Sequence, residues 1–106
     1  MNMPDVVKAF FEADRRNDAD TVATTFAVDA VVVDEGAFHQ GGAAIRDWWA
    51  QAKRKTQYVA EPLDATVNGN QSFVRAKVSG RFPGSPVTLS YTFAITNDKI
   101  AKVEIR

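Results

Sequence analysis

The sequence predicts an α+β domain on three observations: apolar residues recur at helical spacing up to Thr56, they recur at every second position beyond it, and turn residues punctuate the second half. Pro4 suits the first turn of a helix, and Asp5 complements the positive end of its dipole. Val6, Val7, Phe10, Phe11 and Ala13 then form one face of a first helix running to about Arg16. Asn17 and Asp18 interrupt it. Asp18 is a good N-cap for a second, shorter helix whose stripe is Ala19, Val22, Ala23 and Phe26.

Ala30 to Asp34 is rich in β-branched residues and reads as a strand, and Glu35 to Gly42, with Gly36 and the Gly41-Gly42 pair, reads as a loop. Ile45, Trp48, Trp49 and Ala52 mark a third helix. Four strands follow, with turns at Asn68-Gly69, at Pro83-Gly84-Ser85-Pro86 and at Asn97-Asp98. Connections this short force neighbouring strands antiparallel and predict a four-stranded C-terminal meander. In the strand from Val87 to Thr96, Val87, Leu89, Tyr91, Phe93 and Ile95 share one face, while the opposite face is largely threonine and serine.

A chain of 106 residues is the usual size for one core, so residues 1–106 are expected to form a single domain. Thirteen basic residues balance thirteen acidic ones, which leaves no broad positive field for nucleic acid or an anionic membrane. The densest basic run, Lys53-Arg54-Lys55, reads as a solvated helix end. With no cysteine, disulfides, thiolate chemistry and cysteine-based zinc sites are excluded. The lone histidine, His39, has no partner at ligand spacing, so neither metal nor cofactor is expected. The longest apolar run is Ala30 to Val33, far short of the roughly 20 residues of a membrane span. Met1 to Asp5 has no signal-peptide layout, so the expected address is cytoplasmic.

Val6-Val7-Lys8-Ala9-Phe10-Phe11, Asn17-Asp18, Asp29-Ala30-Val31-Val32-Val33-Asp34 and Gly41-Gly42-Ala43-Ala44-Ile45-Arg46-Asp47-Trp48-Trp49 occur in an order and spacing that resemble the nuclear transport factor 2-like (NTF2-like) superfamily. The fit is closest to its SnoaL-like and ketosteroid isomerase-like branch and spans nearly the whole chain. The resemblance implies a cone in which three N-terminal helices pack on a curved, mixed but mainly antiparallel sheet. It also implies a small-molecule pocket between helices and sheet, and a homodimer. The same cone serves isomerases, cyclases, dehydratases and transport adaptors, so function rests on the pocket.

Asp34 shares the parity of Val32, so it faces inward if Val32 does, and it matches the general base of the resembling isomerases. A carboxylate in apolar surroundings can remove a proton beside a carbonyl; the alternative is that Asp34 opens a solvated turn with Glu35 and Gly36. Tyr91 interrupts an otherwise aliphatic and phenylalanine face, and its hydroxyl could steady a developing oxyanion or sit at the rim of the core. In the resembling isomerases that position carries a protonated aspartate, and their helix-one tyrosine falls on Phe10, so half of that oxyanion hole is missing here.

The expected ligand-binding set is Phe10, Asp14, His39, Trp48, Trp49, Glu61 and Phe93. Asp14, one turn after Phe10, tilts toward the cavity mouth or else is an exposed helix-end residue. Glu61 shares the parity of Val59 and Leu63 and turns inward, unless Pro62 marks a bulge that reverses it. His39 lies near the pocket entrance, and one of Trp48 and Trp49 faces the sheet while the other flanks the cavity or another subunit. The set describes acid/base proton transfer on a small carbonyl or polyketide-like compound through Asp34 and Tyr91. The alternatives are a non-catalytic pocket for a small apolar ligand and an interaction module that pairs subunits through the threonine-rich face with Arg75, Lys77 and Arg81.

Overall fold

The computed structural model describes residues 1–106. Pro4, in an extended conformation (φ −57°, ψ 153°), precedes helix α1, Asp5–Arg15. The helix stops where Asn17 enters the left-handed region (φ 57°) and the Asp18 N–H donates to Ala13 O (2.9 Å) and the Asn17 N–H to Asp14 O (3.1 Å), a Schellman closure. Asp18 then caps α2, Ala19–Thr24, accepting from Thr21 N–H at 3.1 Å and from the Thr21 hydroxyl at 2.7 Å. Helix α3 is Gly42–Thr56, entered through Gly41 and ended by Gln57 in the left-handed region at φ 49°.

The strands are β1 Phe26–Asp34, β2 Ala37–Gln40, β3 Val59–Asn68, β4 Gln71–Ser79, β5 Val87–Thr96 and β6 Lys99–Ile105. They form one six-stranded sheet in the order β2-β1-β6-β5-β4-β3. All neighbours pair antiparallel except β1 and β6, which run parallel, so the sheet is mixed. Two local differences from the sequence reading have physical causes. The expected loop Glu35–Gly42 contains β2, because Glu35 and Gly36 both take positive φ (52° and 76°) and make the two-residue turn that suits a hairpin. The first strand begins at Phe26 rather than Ala30, with an irregularity in its pairing to β6 between Phe26 and Val31.

Nineteen buried apolar residues form one core cluster between helices and sheet. Its centre is aromatic: Phe10 meets Phe11, Phe26 and Phe93 edge-on at ring-centre distances of 5.2, 5.8 and 5.6 Å. These are favourable quadrupole geometries that add to the area buried. Ser72, Val74, Ala76 and Val78 of β4 are buried in alternation with exposed Phe73, Arg75 and Lys77, so the inner face carries the core and the outer face is open.

Beyond β4, Gly80 lies against the segment that leaves α3. A β-carbon there would stand 2.8 Å from Thr56 O and 2.9 Å from Tyr58 Cα. The Arg81 N–H donates to the same Thr56 carbonyl at 2.6 Å, which fixes the approach. Gly80→Ala should therefore force backbone apart and cost about 1–3 kcal/mol in chemical denaturation; an unchanged midpoint would show that the α3 exit yields freely.

Candidate functional site

A cavity of about 740 Å³ opens between the inner sheet face, α1 and α3. Phe10 reaches it from α1, Asp34 and Glu35 from the end of β1, and Ala37 and His39 from β2. Helix α3 contributes Trp48, Gln51, Ala52, Lys55 and Thr56, and Tyr58 follows directly. Val78, Phe82 and Pro83, together with Val87, Leu89 and Tyr91 of β5 and Ile105 of β6, complete a mainly apolar wall. Apolar lining with a few polar groups is the usual make-up of a small-molecule site.

Asp34 sits on the inward parity of Ala30 and Val32 and is partly buried. The Trp48 indole N–H donates to its Oδ2 at 3.0 Å, which orients the carboxylate and leaves Oδ1 without a protein donor. The His39 ring lies 6.1 Å from the Trp48 ring, on the same side of the cavity. Tyr91 is 5% exposed, its ring edge-on to Phe11 at 5.1 Å and stacked on Phe93 at 6.0 Å. Its hydroxyl makes no hydrogen bond within the protein, yet it is not sealed in, since Ser72 Oγ alone is both fully buried and unpartnered. A free phenolic donor thus lines the cavity.

Asp14 occupies a different place. It is 1% exposed and lies beneath the cavity wall, where its Oδ1 accepts from the Trp49 indole N–H (2.8 Å) and from the Tyr58 hydroxyl (2.7 Å). Lys53 Nζ stands 3.7 Å from the same oxygen, donates to Tyr58 O at 2.9 Å and lies 3.9 Å above the Tyr58 ring. Burial pushes the Tyr58 phenol well above its ordinary range, with the charge of Asp14 adding to the shift. Burial also raises Tyr91, helped by the charges of Asp14 and Asp34. For Lys53, burial lowers the pKa and the attraction of Asp14 opposes it.

The structure thus brings Asp34, Tyr91, Phe10, His39 and Trp48 to one cavity. Four other expectations are corrected. Asp14 is neither at the mouth nor exposed, because Trp49, Tyr58 and Lys53 enclose it. Trp49 is core, since the step of about 100° between consecutive helical residues sends its neighbour Trp48 to the cavity instead. Phe93 is 0% exposed and packs on Phe10 and Phe11 rather than on the cavity. Glu61 is exposed and points outward. The register of β3 shifts between Pro62 and Asp64, so Ala60 and Pro62 face inward before the shift, and Ala65 and Val67 after it.

The same reversal explains the residue that sequence reasoning missed. Tyr58 shares the parity of Ala60, not of Val59, and so faces the cavity. Its identity as one of two tyrosines, directly after a helix end, was the available signal.

Three helices on a mixed six-stranded sheet define a small α+β protein of the NTF2-like superfamily. The chain belongs to the SnoaL-like domain family, whose model matches residues 7–103. It is similar to a Sinorhizobium meliloti protein described provisionally as a polyketide cyclase, with 59% identity, a TM-score of 0.97, and coverage of 98% of this chain and 95% of that one. It also resembles a protein of ketosteroid isomerase-like fold from Catenulispora acidiphila, solved with trimethylamine, at 20% identity and TM-score 0.87, covering 99% of this chain and 86% of that one. A cystatin-fold protein from Novosphingobium aromaticivorans matches at 26% identity and TM-score 0.83, covering 100% and 98%. No curated protein matches the sequence significantly. No helix is long and apolar enough to cross a membrane.

The two tyrosines of the chain give a direct test of the buried polar cluster. A raised folded pKa favours the neutral phenol, so this contribution to stability is present below the unfolded value of 10.0 and is lost as pH rises above it. Phenolate absorbance should therefore appear only together with loss of far-ultraviolet circular dichroism. A tyrosine ionising near pH 10 in the folded chain would contradict this environment.

Proposed function

We propose that the cavity binds a small, largely apolar carbonyl compound of polyketide type and moves a proton beside its carbonyl group. The observation that carries this reading is the placing of an oriented carboxylate, Asp34, and an unpartnered phenol, Tyr91, on one apolar cavity. Asp34 takes a proton from the carbon next to the carbonyl, the C–H electron pair becomes the carbon–carbon double bond, and the carbonyl π electrons move to oxygen. Tyr91 donates a hydrogen bond to that oxygen as its charge develops. Protonation by the resulting carboxylic acid, at the same or another carbon, restores Asp34. The provisional description of the 59% identical relative as a polyketide cyclase supports the substrate class.

A second reading, a non-catalytic carrier of a small ligand, is favoured by Phe10, which puts a hydrocarbon edge where the resembling isomerases have a second donor. Exchange of α-protons of tetralone, a bicyclic aromatic ketone, for deuterium distinguishes the two by nuclear magnetic resonance. Under the first reading the wild type accelerates exchange, Asp34→Asn abolishes the acceleration, and Tyr91→Phe lowers it about a hundredfold. Tetralone binding without accelerated exchange would leave the carrier reading standing.

The expected homodimer also belongs to this proposal. Phe38, 73% exposed, pairs with Val33 on the outer face, and Phe73, 37% exposed, lies on the same face of β4. Apolar side chains in these places suit a partner copy. Sedimentation should show a dimer that Phe73→Glu dissociates, and a monomer over a wide concentration range would refute it.

A further inference from the structure

The cavity holds two phenols whose hydrogen-bonding roles are opposite. Tyr91 has its O–H free, as described above. Tyr58 has one O–H as well, and it is committed to Asp14 Oδ1 at 2.7 Å. That commitment is well held. Asp14 Oδ1 is also tied to the Trp49 N–H at 2.8 Å, Lys53 pins both the Tyr58 ring and the Tyr58 carbonyl, and Gly80 lets the backbone of β4 close against Tyr58 Cα. Turning the Tyr58 proton into the cavity would strip a donor from a buried carboxylate, which is the costly direction. Tyr58 lines the cavity, so its phenol can serve a ligand there only as an acceptor.

Building on the carbonyl reading above, we infer that Tyr58 is a specificity-determining acceptor and that the ligand is a hydroxylated carbonyl compound, its carbonyl oxygen accepting from Tyr91 and its hydroxyl donating to Tyr58. Asp14 is a positioning residue here, acting through Tyr58. A ligand group that can only accept gains nothing from Tyr58, and its lone pairs oppose those of the phenolic oxygen. A ligand hydroxyl finds a fixed partner in an otherwise apolar wall formed by Phe82, Val87 and Leu89. A site built to pair a buried polar group discriminates strongly against analogues that leave it unpaired.

The test measures binding of hydroxytetralone isomers, methoxytetralone and unsubstituted tetralone to the full chain by calorimetry. At least one hydroxytetralone should bind wild-type protein about tenfold tighter than tetralone, the advantage of one well-placed hydrogen bond, and methoxytetralone should show no such gain. Tyr58→Phe keeps the ring beneath Lys53 and should erase the difference between hydroxytetralone and tetralone, both measured on that variant, with circular dichroism checking its fold. Tyr91→Phe should weaken all three ketones together. An advantage that survives in Tyr58→Phe overturns the inference. So does the absence of any advantage in the wild type while Tyr91→Phe still weakens tetralone, and that result leaves the carbonyl reading intact. If no ketone binds, the carbonyl reading fails and this inference with it.

Discussion

A single buried carboxylate oxygen organises this protein. Asp14 Oδ1 receives the indole of Trp49 and the phenol of Tyr58, with the ammonium of Lys53 nearby, so α1, α3 and the start of β3 converge on one atom. The cluster could exist only if its members were satisfied together. An isolated carboxylate at this depth is costly, and removing its donors would leave a buried charge uncompensated. A buried ion pair is weak evidence for stability by itself, since an apolar replacement of both partners is often neutral. Its value here is specificity of placement. Apolar packing of Phe10, Phe11 and Phe93 would tolerate small slips of α3 along the sheet, whereas two directional hydrogen bonds to one oxygen do not.

That placement has chemical results on the other side of the wall. Helix α3 carries adjacent indoles, one holding Asp14 in the core and the other holding Asp34 at the cavity. Two carboxylates of the same kind are thereby given unlike surroundings. Asp14 is enclosed, while Asp34 keeps one oxygen free of protein donors and meets an apolar chamber with an unpaired phenol. The division between an acid enclosed in the core and one facing the cavity arises from a rotation of about 100° between successive residues. The chamber of this SnoaL-like chain is lined by both of its tyrosines, Tyr58 and Tyr91.

Much of the fold was legible because local and global signals agreed. The Asp18 cap, the period change after Thr56 and the Asn97-Asp98 turn each act through local backbone chemistry, and each is found in place. The placement of Asp34 and Tyr91 on the inner face was also legible, since strand parity runs unbroken through Val32 and through Phe93. The losses come from two places where parity alone fails. Leu63 lies at a register shift in β3, so the parity that Glu61 shares with Val59 and Leu63 did not mark the inner face at the strand start. Asp14 was obscure for another reason: an aspartate near a helix end looks exposed in sequence, and only the donors brought from 35 and 44 residues away make its burial tolerable. The short strand β2 was hidden in a glycine-flanked segment whose turn residues, Glu35 and Gly36, are not the most characteristic hairpin pair.

The adjacent indoles of α3 also limit how far the chamber can adapt its shape. The helix cannot roll or slide to admit a bulkier guest without breaking one tether or the other, so that wall behaves as a rigid strut. The connection between β4 and β5, which carries Phe82 and Pro83, is tied to the end of α3 by the Arg81 N–H donated to Thr56 O and to itself by the Gly80 N–H donated to Ser85 Oγ, so a guest meets braced walls at both places.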